Sequence, residues 1–181
     1  ARFADLPAST APSRPVAGFL GKLDDRLDYA AIARAAVALP DWRFELVGPA
    51  APSGTEGLAR LRAMPNVSIP GPVPLADAPA RIAGWTAALL PYRDTPMTRA
   101  CDPLKLREYL AAGAPVAAFD IEGVRAHADA ITLCGPHDLA DALRAAADEP
   151  PTARAKRRLS VADDDWSARA ATLSSWLERF A

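Results

Sequence analysis

The sequence predicts an α/β fold, in which a Rossmann-like parallel sheet carries helices on both faces and is followed by a C-terminal helical extension. Short apolar strands alternate with amphipathic helices along most of the chain, and several of the strands end in glycine or proline. Hydrophobic residues make up 50% of the 181-residue chain, which is enough to bury one sizeable core.

Six short strands are predicted, and their regular alternation with helices implies that they run parallel and are buried. They begin at Val16, Arg43, Val67, Thr86, Pro115 and Ile131. Sheets of this type bind ligands at the carboxyl ends of their strands, where the strand order reverses. We therefore expect ligand-binding loops at the ends of four strands, after Gly21, Ile69, Pro91 and Phe119.

Helices are predicted between these strands at residues 28–39, 58–62, 77–84, 105–112 and 138–148. Gly113 is expected to cap the fourth of them. A basic helix is predicted at 152–158 and a final amphipathic helix at 166–180, separated by three aspartates. The apolar stripe of the final helix is expected to pack on this domain, and packing on a domain absent from this chain is the alternative. The stripe consists of Leu173, Trp176, Leu177 and Phe180.

The composition excludes several classes of protein. With 21 basic and 22 acidic residues, the charge balance gives no reason to expect a nucleic-acid partner. Neither a secretory signal nor an apolar run of roughly 20 residues that could span a bilayer is visible. Cys101 and Cys134 lack the spacing of metal ligands, so we expect no metal, no disulfide and a reducing, cytoplasmic location.

The domain organisation is expected to be simple. Residues 1–15 are rich in proline, serine and alanine and lack apolar periodicity, which is typical of an interdomain linker. Residues 16–181 would form one domain, with its C-terminal helices starting at about 152. The chain is therefore expected to be a fragment that follows another domain.

The most informative segment is CDPLKLREYLAAGAPVAAFD, residues 101–120. Pro103 is expected in the first turn of the helix, where its missing N–H needs no partner. The free N–H groups of a helix start, at the positive end of the helix dipole, favour a phosphate. Lys105 could then meet a diphosphate, and Glu108 could accept hydrogen bonds from ribose hydroxyls. A plain surface i,i+3 ion pair is the alternative.

Two further loops could complete a nucleotide site. In GKLDDRLD, residues 21–28, Gly21 allows close approach of a ligand, and Lys22 and Arg26 offer two cations. A solvated loop of mixed charge is the alternative, because two aspartates separate the cations. The proline-rich turn at 65–74 could present fixed backbone groups to a flat base, or could be purely structural.

Taken in order, these pieces resemble the C-terminal domain of family 4 glycosyltransferases. The resemblance rests on the glycine-ended strand with its basic pair, the strand ending LVG, the PNV…G turn, the strand ending LPY, and PLKLREYLAAGAPV. It runs from about 16 to 148, includes the helix at Trp166, and is closest to the subgroup with a Pro-x-Lys-x-x-Glu-Tyr helix. Such enzymes have the glycosyltransferase B fold, two Rossmann-like domains with a cleft between them.

The resemblance implies a role for each matching residue. Lys22, Arg26 and Lys105 would stabilise the leaving diphosphate of the donor, and Glu108 would bind its ribose. The other implied donor-binding positions are Gly21, Val73 at the base pocket, and the loop residues Asp102, Pro103 and Leu104. The family transfers a sugar with retention at the anomeric carbon, usually without a bound metal, so we expect no tightly bound cofactor.

One position departs from the family pattern. The wider family has a glutamate eight positions before the one matched by Glu108, and this chain has Ala100 there. That carboxylate usually contacts the donor sugar, so the identity of the sugar and, to a lesser degree, activity are open. Asp102 has the wrong spacing to replace it directly.

The expected function is donor binding in a glycosyltransferase that uses a nucleoside-diphosphate sugar, UDP-linked rather than GDP-linked. The transfer would belong to cell-surface glycan or glycolipid synthesis, and the groups that bind the acceptor, whose identity is open, would come from a missing N-terminal domain. The full-length enzyme would be cytoplasmic and could associate peripherally with the inner face of the membrane. A non-catalytic nucleotide-binding or scaffold module of the same fold is the alternative, which Ala100 supports.

Other functions fit poorly. A nicotinamide dehydrogenase would need G-x-G-x-x-G after the first strand, where only Gly18 and Gly21 occur. A phosphate-receiver domain would need an aspartate after the third strand, where Ile69 and Pro70 stand. The two histidines, His127 and His137, have no neighbouring nucleophile and are expected to be structural. For Arg93 and Arg99, solvation is favoured over substrate contact.

Overall fold

A six-stranded parallel sheet forms the centre of the protein in a computed structural model, which describes residues 12–150, 152–162, 164 and 166–179. The strands are β1 (Val16–Leu20), β2 (Arg43–Val47), β3 (Val67–Gly71), β4 (Ala87–Leu90), β5 (Val116–Phe119) and β6 (Thr132–Cys134). Their order is β3-β2-β1-β4-β5-β6, so the direction of winding reverses between β1 and β4. The predicted Rossmann-like fold class is confirmed.

Helices connect and cover the strands. They are α1 (Tyr29–Ala38), α2 (Thr55–Arg62), α3 (Ala78–Ala83), α4 (Pro96–Arg99), α5 (Leu104–Ala112), α6 (Leu139–Ala147), α7 (Thr152–Leu159) and α8 (Trp166–Glu178). Right-handed crossovers place α1 and α5 on opposite faces, because β1 to β2 and β4 to β5 step in opposite directions across the sheet. Helices α2 and α6 pack with α1, and α3 and α7 pack with α5.

Local details differ from the expected pattern in short segments. The single-turn helix α4 and the 3₁₀ segments Pro52–Gly54 and Glu122–Ala130 were not predicted, because one turn is too short to show an apolar period. Pro103 is the N-cap of α5 rather than part of its first turn. Gly113 caps α5 as predicted, with a left-handed φ of 74°.

The final helix leaves its apolar stripe uncovered. Leu173, Trp176 and Leu177 are 56%, 54% and 63% exposed. The expectation that this stripe packs on its own domain is therefore wrong for these three residues, because no described element comes close enough to cover them. Phe180, the fourth member, lies outside the described residues. Within the described part of the chain, no helix has the length and apolarity needed to cross a membrane.

The predicted linker is only partly described. Residues 1–11 of it lie outside the described residues, and residues 12–15 lead into β1. Arg14 donates hydrogen bonds to the carbonyl oxygens of Asp41, at 2.6 Å, and of Pro40. These contacts attach the chain just before β1 to the loop that precedes β2.

A buried aromatic cluster joins β1 to the α3–α5 face. Gly18 leaves room for the indole of Trp85, since a Cβ at position 18 would lie 1.9 Å from that ring. The Trp85 Nε1–H donates to the buried carboxylate of Glu45 at 2.8 Å, which also lies 3.5 Å from the guanidinium of Arg81. Tyr109 packs edge-on against Trp85, with ring centroids 6.0 Å apart. The cluster therefore fixes α5 against β1.

Tyr109 also completes the hydrogen bonding of β1. Strands β1 and β4 pair only at Ala17 with Ala87 and at Gly18 with Ala88. Beyond this short ladder, the Leu20 N–H donates to the Tyr109 hydroxyl at 2.9 Å, within fully buried surroundings. A side chain of α5 thus replaces a strand partner at the point where β1 and β4 part.

Replacing Tyr109 by phenylalanine tests this hydrogen bond. Tyr109→Phe should lower the free energy of unfolding by about 1–3 kcal/mol, because the buried Leu20 N–H loses its acceptor. Urea denaturation at pH 7 gives the difference. Tyr29→Phe is the matched control, since the buried Tyr29 hydroxyl has no hydrogen-bond partner among the described residues. The control should be neutral or stabilising, and an equal loss in both variants would contradict the assignment.

Candidate functional site

The end of β1 and the start of α5 meet at the carboxyl edge of the sheet. A Cβ on Gly21 would lie 3.6 Å from the Cε of Lys105, so the lysine stem passes over this bare backbone. The aliphatic part of Lys105 therefore lies within van der Waals reach of position 21, where the tightest neighbour of an added Cβ would be the Phe19 ring, at 3.0 Å. The structure brings together two of the sequence-predicted residues that lie 84 positions apart in the chain.

Glycines let the neighbouring strand ends join this corner. Gly21 N–H donates to the carbonyl of Val47 at 2.9 Å, and Gly48 N–H donates to the carbonyl of Gly71 at 2.9 Å. Gly48 has a φ of 143°, and a Cβ there would lie 1.9 Å from the Gly21 carbonyl oxygen. Only glycine fits such a close crossing. The ends of β1, β2 and β3 consequently form one continuous backbone surface.

The first turn of α5 carries a charge pair. Lys105 Nζ lies 2.7 Å from Glu108 Oε2, and both side chains are about a quarter exposed, at 27% and 22%. The i,i+3 ion pair that the sequence left as an alternative is therefore formed. It stands beside Gly21 in the first turn of α5, where helix geometry leaves N–H groups without i−4 acceptors, and of these the Leu106 N–H donates to the Pro103 carbonyl at 2.9 Å.

The cations after β1 differ in their surroundings. Lys22 is exposed, whereas the Arg26 guanidinium forms two parallel hydrogen bonds of 2.9 Å to Asp24. Arg26 also lies over the ring of Tyr92, 5.5 Å from its centroid. Burial raises the pKa of Asp24, but hydrogen bonds from the Arg26 side chain and backbone outweigh it, so the pKa is lowered overall. Much of the charge of Arg26 is therefore already compensated.

The loop before α5 is held from two sides. Arg107 forms an ion pair with Asp102 and a second one, at 2.9 Å, with Asp164 after α7. On the other side, a Cβ at Gly123 would lie 1.9 Å from the Cys101 carbonyl oxygen. Sequence reasoning missed Arg107 because its partners are set by tertiary structure, although a basic residue between Lys105 and Glu108 was visible.

Val73 and Leu104, two further predicted residues, and Ala100 have apolar side chains. Val73 is half-buried against the core, two residues after the end of β3. Leu104 is 64% exposed at the start of α5, and Ala100 is also exposed. None of the predicted site residues lines the cavity of about 540 Å³ that lies beyond the carboxyl ends of β4, β5 and β6.

Histidines and cysteines offer no reactive centre in this region. Burial lowers the pKa of His127, whose Nε2 has no hydrogen-bond partner among the described residues. Burial raises the pKa of Cys134 to about 12, which keeps it a neutral thiol. In the described part of the chain, no cluster of three or more potential metal ligands occurs.

The fold and this corner of charged and glycine residues define a class of protein. The chain belongs to the family described as glycosyl transferases group 1, whose model matches residues 14–149. It is 40% identical over 101 residues to TuaH of Bacillus subtilis (strain 168), a putative teichuronic acid biosynthesis glycosyltransferase. That match covers 56% of this chain and 25% of TuaH, so this chain spans about a quarter of the relative.

Solved structures share the fold. Sucrose-phosphate synthase from Thermosynechococcus elongatus superposes with a TM-score of 0.78 at 22% identity, over 97% of this chain and 47% of that one. Anabaena HepE, solved in complex with UDP and glucose, gives a TM-score of 0.73 at 18% identity. The superposition covers 94% of this chain and 53% of HepE. At these identities the likeness establishes the architecture of this domain.

The Asp24–Arg26 pair predicts a pH dependence of stability. Because the folded-state pKa of Asp24 is lowered, its stabilisation is present above the unfolded-state pKa and is lost as the pH falls through the folded-state value. Asp24→Asn should therefore cost on the order of 1 kcal/mol at pH 7 and less at pH 3, below the ordinary pKa of an aspartate. Unfolding by urea at both pH values measures the difference.

Asp25→Asn provides the neighbouring control. Asp25 is exposed and accepts a 3.4 Å hydrogen bond from the Ser53 hydroxyl. We expect little change in stability at either pH. If the two variants behaved alike, the paired hydrogen bonds between Asp24 and Arg26 would not be stabilising the loop.

Proposed function

We propose that this chain is the donor-nucleotide-binding domain of a glycosyltransferase that moves a sugar from a nucleoside-diphosphate sugar to an acceptor. The observation that carries the proposal is the convergence of Gly21, Lys105 and Glu108 at the carboxyl edge of β1. Membership of the glycosyl transferases group 1 family supports it. Ligands of open parallel sheets bind at this edge, beside the point where the strand order reverses.

In this proposal the ion pair of α5 is a preformed receptor. Lys105 has three donors and Glu108 has about four lone-pair sites, so their mutual contact leaves capacity on both. Glu108 would accept hydrogen bonds from the ribose hydroxyls. Lys105 would place its charge near the diphosphate, together with the free N–H groups at the start of α5.

The two cations after β1 would contribute unequally. Lys22 is exposed and free to move towards a phosphate. Arg26 uses Nε and Nη2 to hold Asp24, so only its remaining N–H groups are available to a ligand. We expect Arg26 to shape the loop as well as to stabilise the leaving diphosphate electrostatically.

The rest of the donor would lie along the neighbouring loops. The backbone of Asp102, Pro103 and Leu104 would face the donor phosphate and sugar. The ion pair between the side chains of Asp102 and Arg107 would keep that loop in place. Val73, beyond the end of β3, would contact the base. UDP is proposed over GDP, in line with the UDP found in the HepE structure.

The complete enzyme would need a second domain. Because this chain spans about a quarter of TuaH, the groups that bind the acceptor would come from outside it. TuaH is named for teichuronic acid biosynthesis, which supports a cell-surface glycan as the product class. A location at the cytoplasmic side of the membrane is part of the proposal. This chain alone should bind nucleotide weakly and transfer no sugar.

Titration with UDP, GDP and UDP-sugars, followed by backbone amide NMR shifts, tests the donor site. Shifts should appear at residues 21–26 and 102–108, with UDP binding more tightly than GDP. If no nucleotide caused shifts at millimolar concentration, the non-catalytic scaffold suggested by Ala100 would replace this proposal.

Glu108→Ala tests the ribose contact. Loss of the carboxylate should weaken UDP binding by about 1–3 kcal/mol, because the ribose hydroxyls lose a charged acceptor. Isothermal titration calorimetry measures the change. Asp141→Ala is the matched control, since Asp141 forms an equivalent i,i+3 pair with Arg144, also at 2.7 Å, at the surface of α6. Affinity for UDP should be unchanged in the control.

A further inference from the structure

We propose that the cavity beyond β4, β5 and β6 is a second ligand site, which binds a sugar carrying one acidic group through Arg93. The acidic group is a carboxylate or a phosphate, since both present anionic oxygens to a guanidinium. The site is separate from the proposed donor site, and its occupation does not depend on that proposal.

The cavity has the size and the mixed lining of a small-molecule site. Its volume is about 540 Å³, within the range of roughly 300–1,000 Å³ that is usual for ligand pockets. Phe119, Ile121 and Leu133 supply an apolar floor, against which the carbon-rich face of a sugar ring can lie. Arg93, Asp94 and Asp120 supply polar groups at the rim.

The walls of the cavity are held by hydrogen bonds between the elements that form it. Asp28 N–H donates to the Pro91 carbonyl at 2.9 Å, and Asp120 N–H donates to the Cys134 carbonyl at 3.1 Å. Arg34 of α1 donates to the Pro136 carbonyl at 3.0 Å. A ligand would therefore meet a largely preformed site, which lowers the entropic cost of binding.

The charges around the cavity distinguish Arg93 from its neighbours. Asp94 is paired with Arg99 at 2.7 Å, and Asp120 is paired with Arg125 at 2.7 Å. The third lining carboxylate, Asp28, accepts a hydrogen bond of 2.8 Å from the N–H of Ala31 at the start of α1.

Among the described residues, the Arg93 guanidinium has neither a hydrogen bond nor an ion pair, so it is available to an anionic group. The compensated carboxylates Asp94 and Asp120 still have lone pairs that can accept from sugar hydroxyls. An apolar floor, hydroxyl acceptors and one free cation together match an acidic sugar.

A backbone bridge separates this cavity from the proposed donor site. Leu27 pairs with Tyr92, and Arg93 N–H donates to the Arg26 carbonyl at 2.7 Å. Lys105 and Glu108 belong to α5 and do not line the cavity. The two sites thus share an edge of the sheet but not their binding side chains, and each can be observed through its own amide signals.

NMR titration of the 181-residue chain with four probes tests the proposal: glucuronate, glucose 6-phosphate, glucose and inorganic phosphate. Glucuronate, glucose 6-phosphate or both should shift the amides of residues 92–94, 119–121 and 133–135. The tighter of these two identifies the acidic group. Glucose and inorganic phosphate should each bind at least about tenfold more weakly, because each lacks half of the required contacts.

Several results would overturn the proposal. Absence of shifts at 92–94 with both acidic sugars at their highest soluble concentrations would exclude the site. Equal binding of glucose would remove the role of the charge, and equal binding of inorganic phosphate would leave an anion site without sugar recognition. Failure of UDP to shift residues 21–26 and 102–108 would count against the donor site alone.

Arg93→Gln gives an independent measurement. This exposed residue can be exchanged without disturbing the core, and the affinity for the bound acidic sugar should fall roughly tenfold to a hundredfold. Arg62→Gln is the control, because Arg62 is also exposed but lies in the last turn of α2, just before the amino end of β3. Equal affinity in the wild type and Arg93→Gln would refute the assignment.

Discussion

The hydrogen bond from the Leu20 N–H to the Tyr109 hydroxyl is the contact on which the candidate donor site depends. It forms where β1 separates from β4, so it satisfies a buried donor that the sheet itself leaves without a strand partner. Tyr109 directly follows Glu108 and lies one turn after Lys105. The same hydroxyl therefore fixes the distance between the turn at Gly21 and both charged residues of α5.

Glycine has a mainly steric role at this edge of the sheet. Gly18 makes room for Trp85, Gly21 relieves a close approach to the ring of Phe19, and Gly48 makes room for the carbonyl of Gly21. At Gly18 and Gly48 an added Cβ would lie 1.9 Å from another segment, so packing alone accounts for these two glycines. Close packing of backbone and side chains thus prepares a surface on which a flat or highly charged ligand can lie.

Ion pairs determine which cations remain available to ligands. Arg26, Arg99, Arg107 and Arg125 are each held by an aspartate, and pairing lowers their attraction for an external anion. Lys22 and Arg93 have no such partner among the described residues. In the chain, Lys22 precedes Leu27 and Arg93 follows Tyr92, the two residues of the backbone bridge, so each of the two proposed ligand sites has a cation of its own.

The sequence by itself determined the α/β alternation, the six strands, the cap at Gly113 and the segments that carry Gly21, Lys105 and Glu108, because periodicity and glycine placement are local signals. Only the tertiary structure decided that Arg26 binds Asp24, that Arg107 reaches Asp164 and that the stripe of α8 stays exposed. Those outcomes depend on strand order and on which surfaces meet, since a charged or apolar side chain has several partners within reach until the chain is folded.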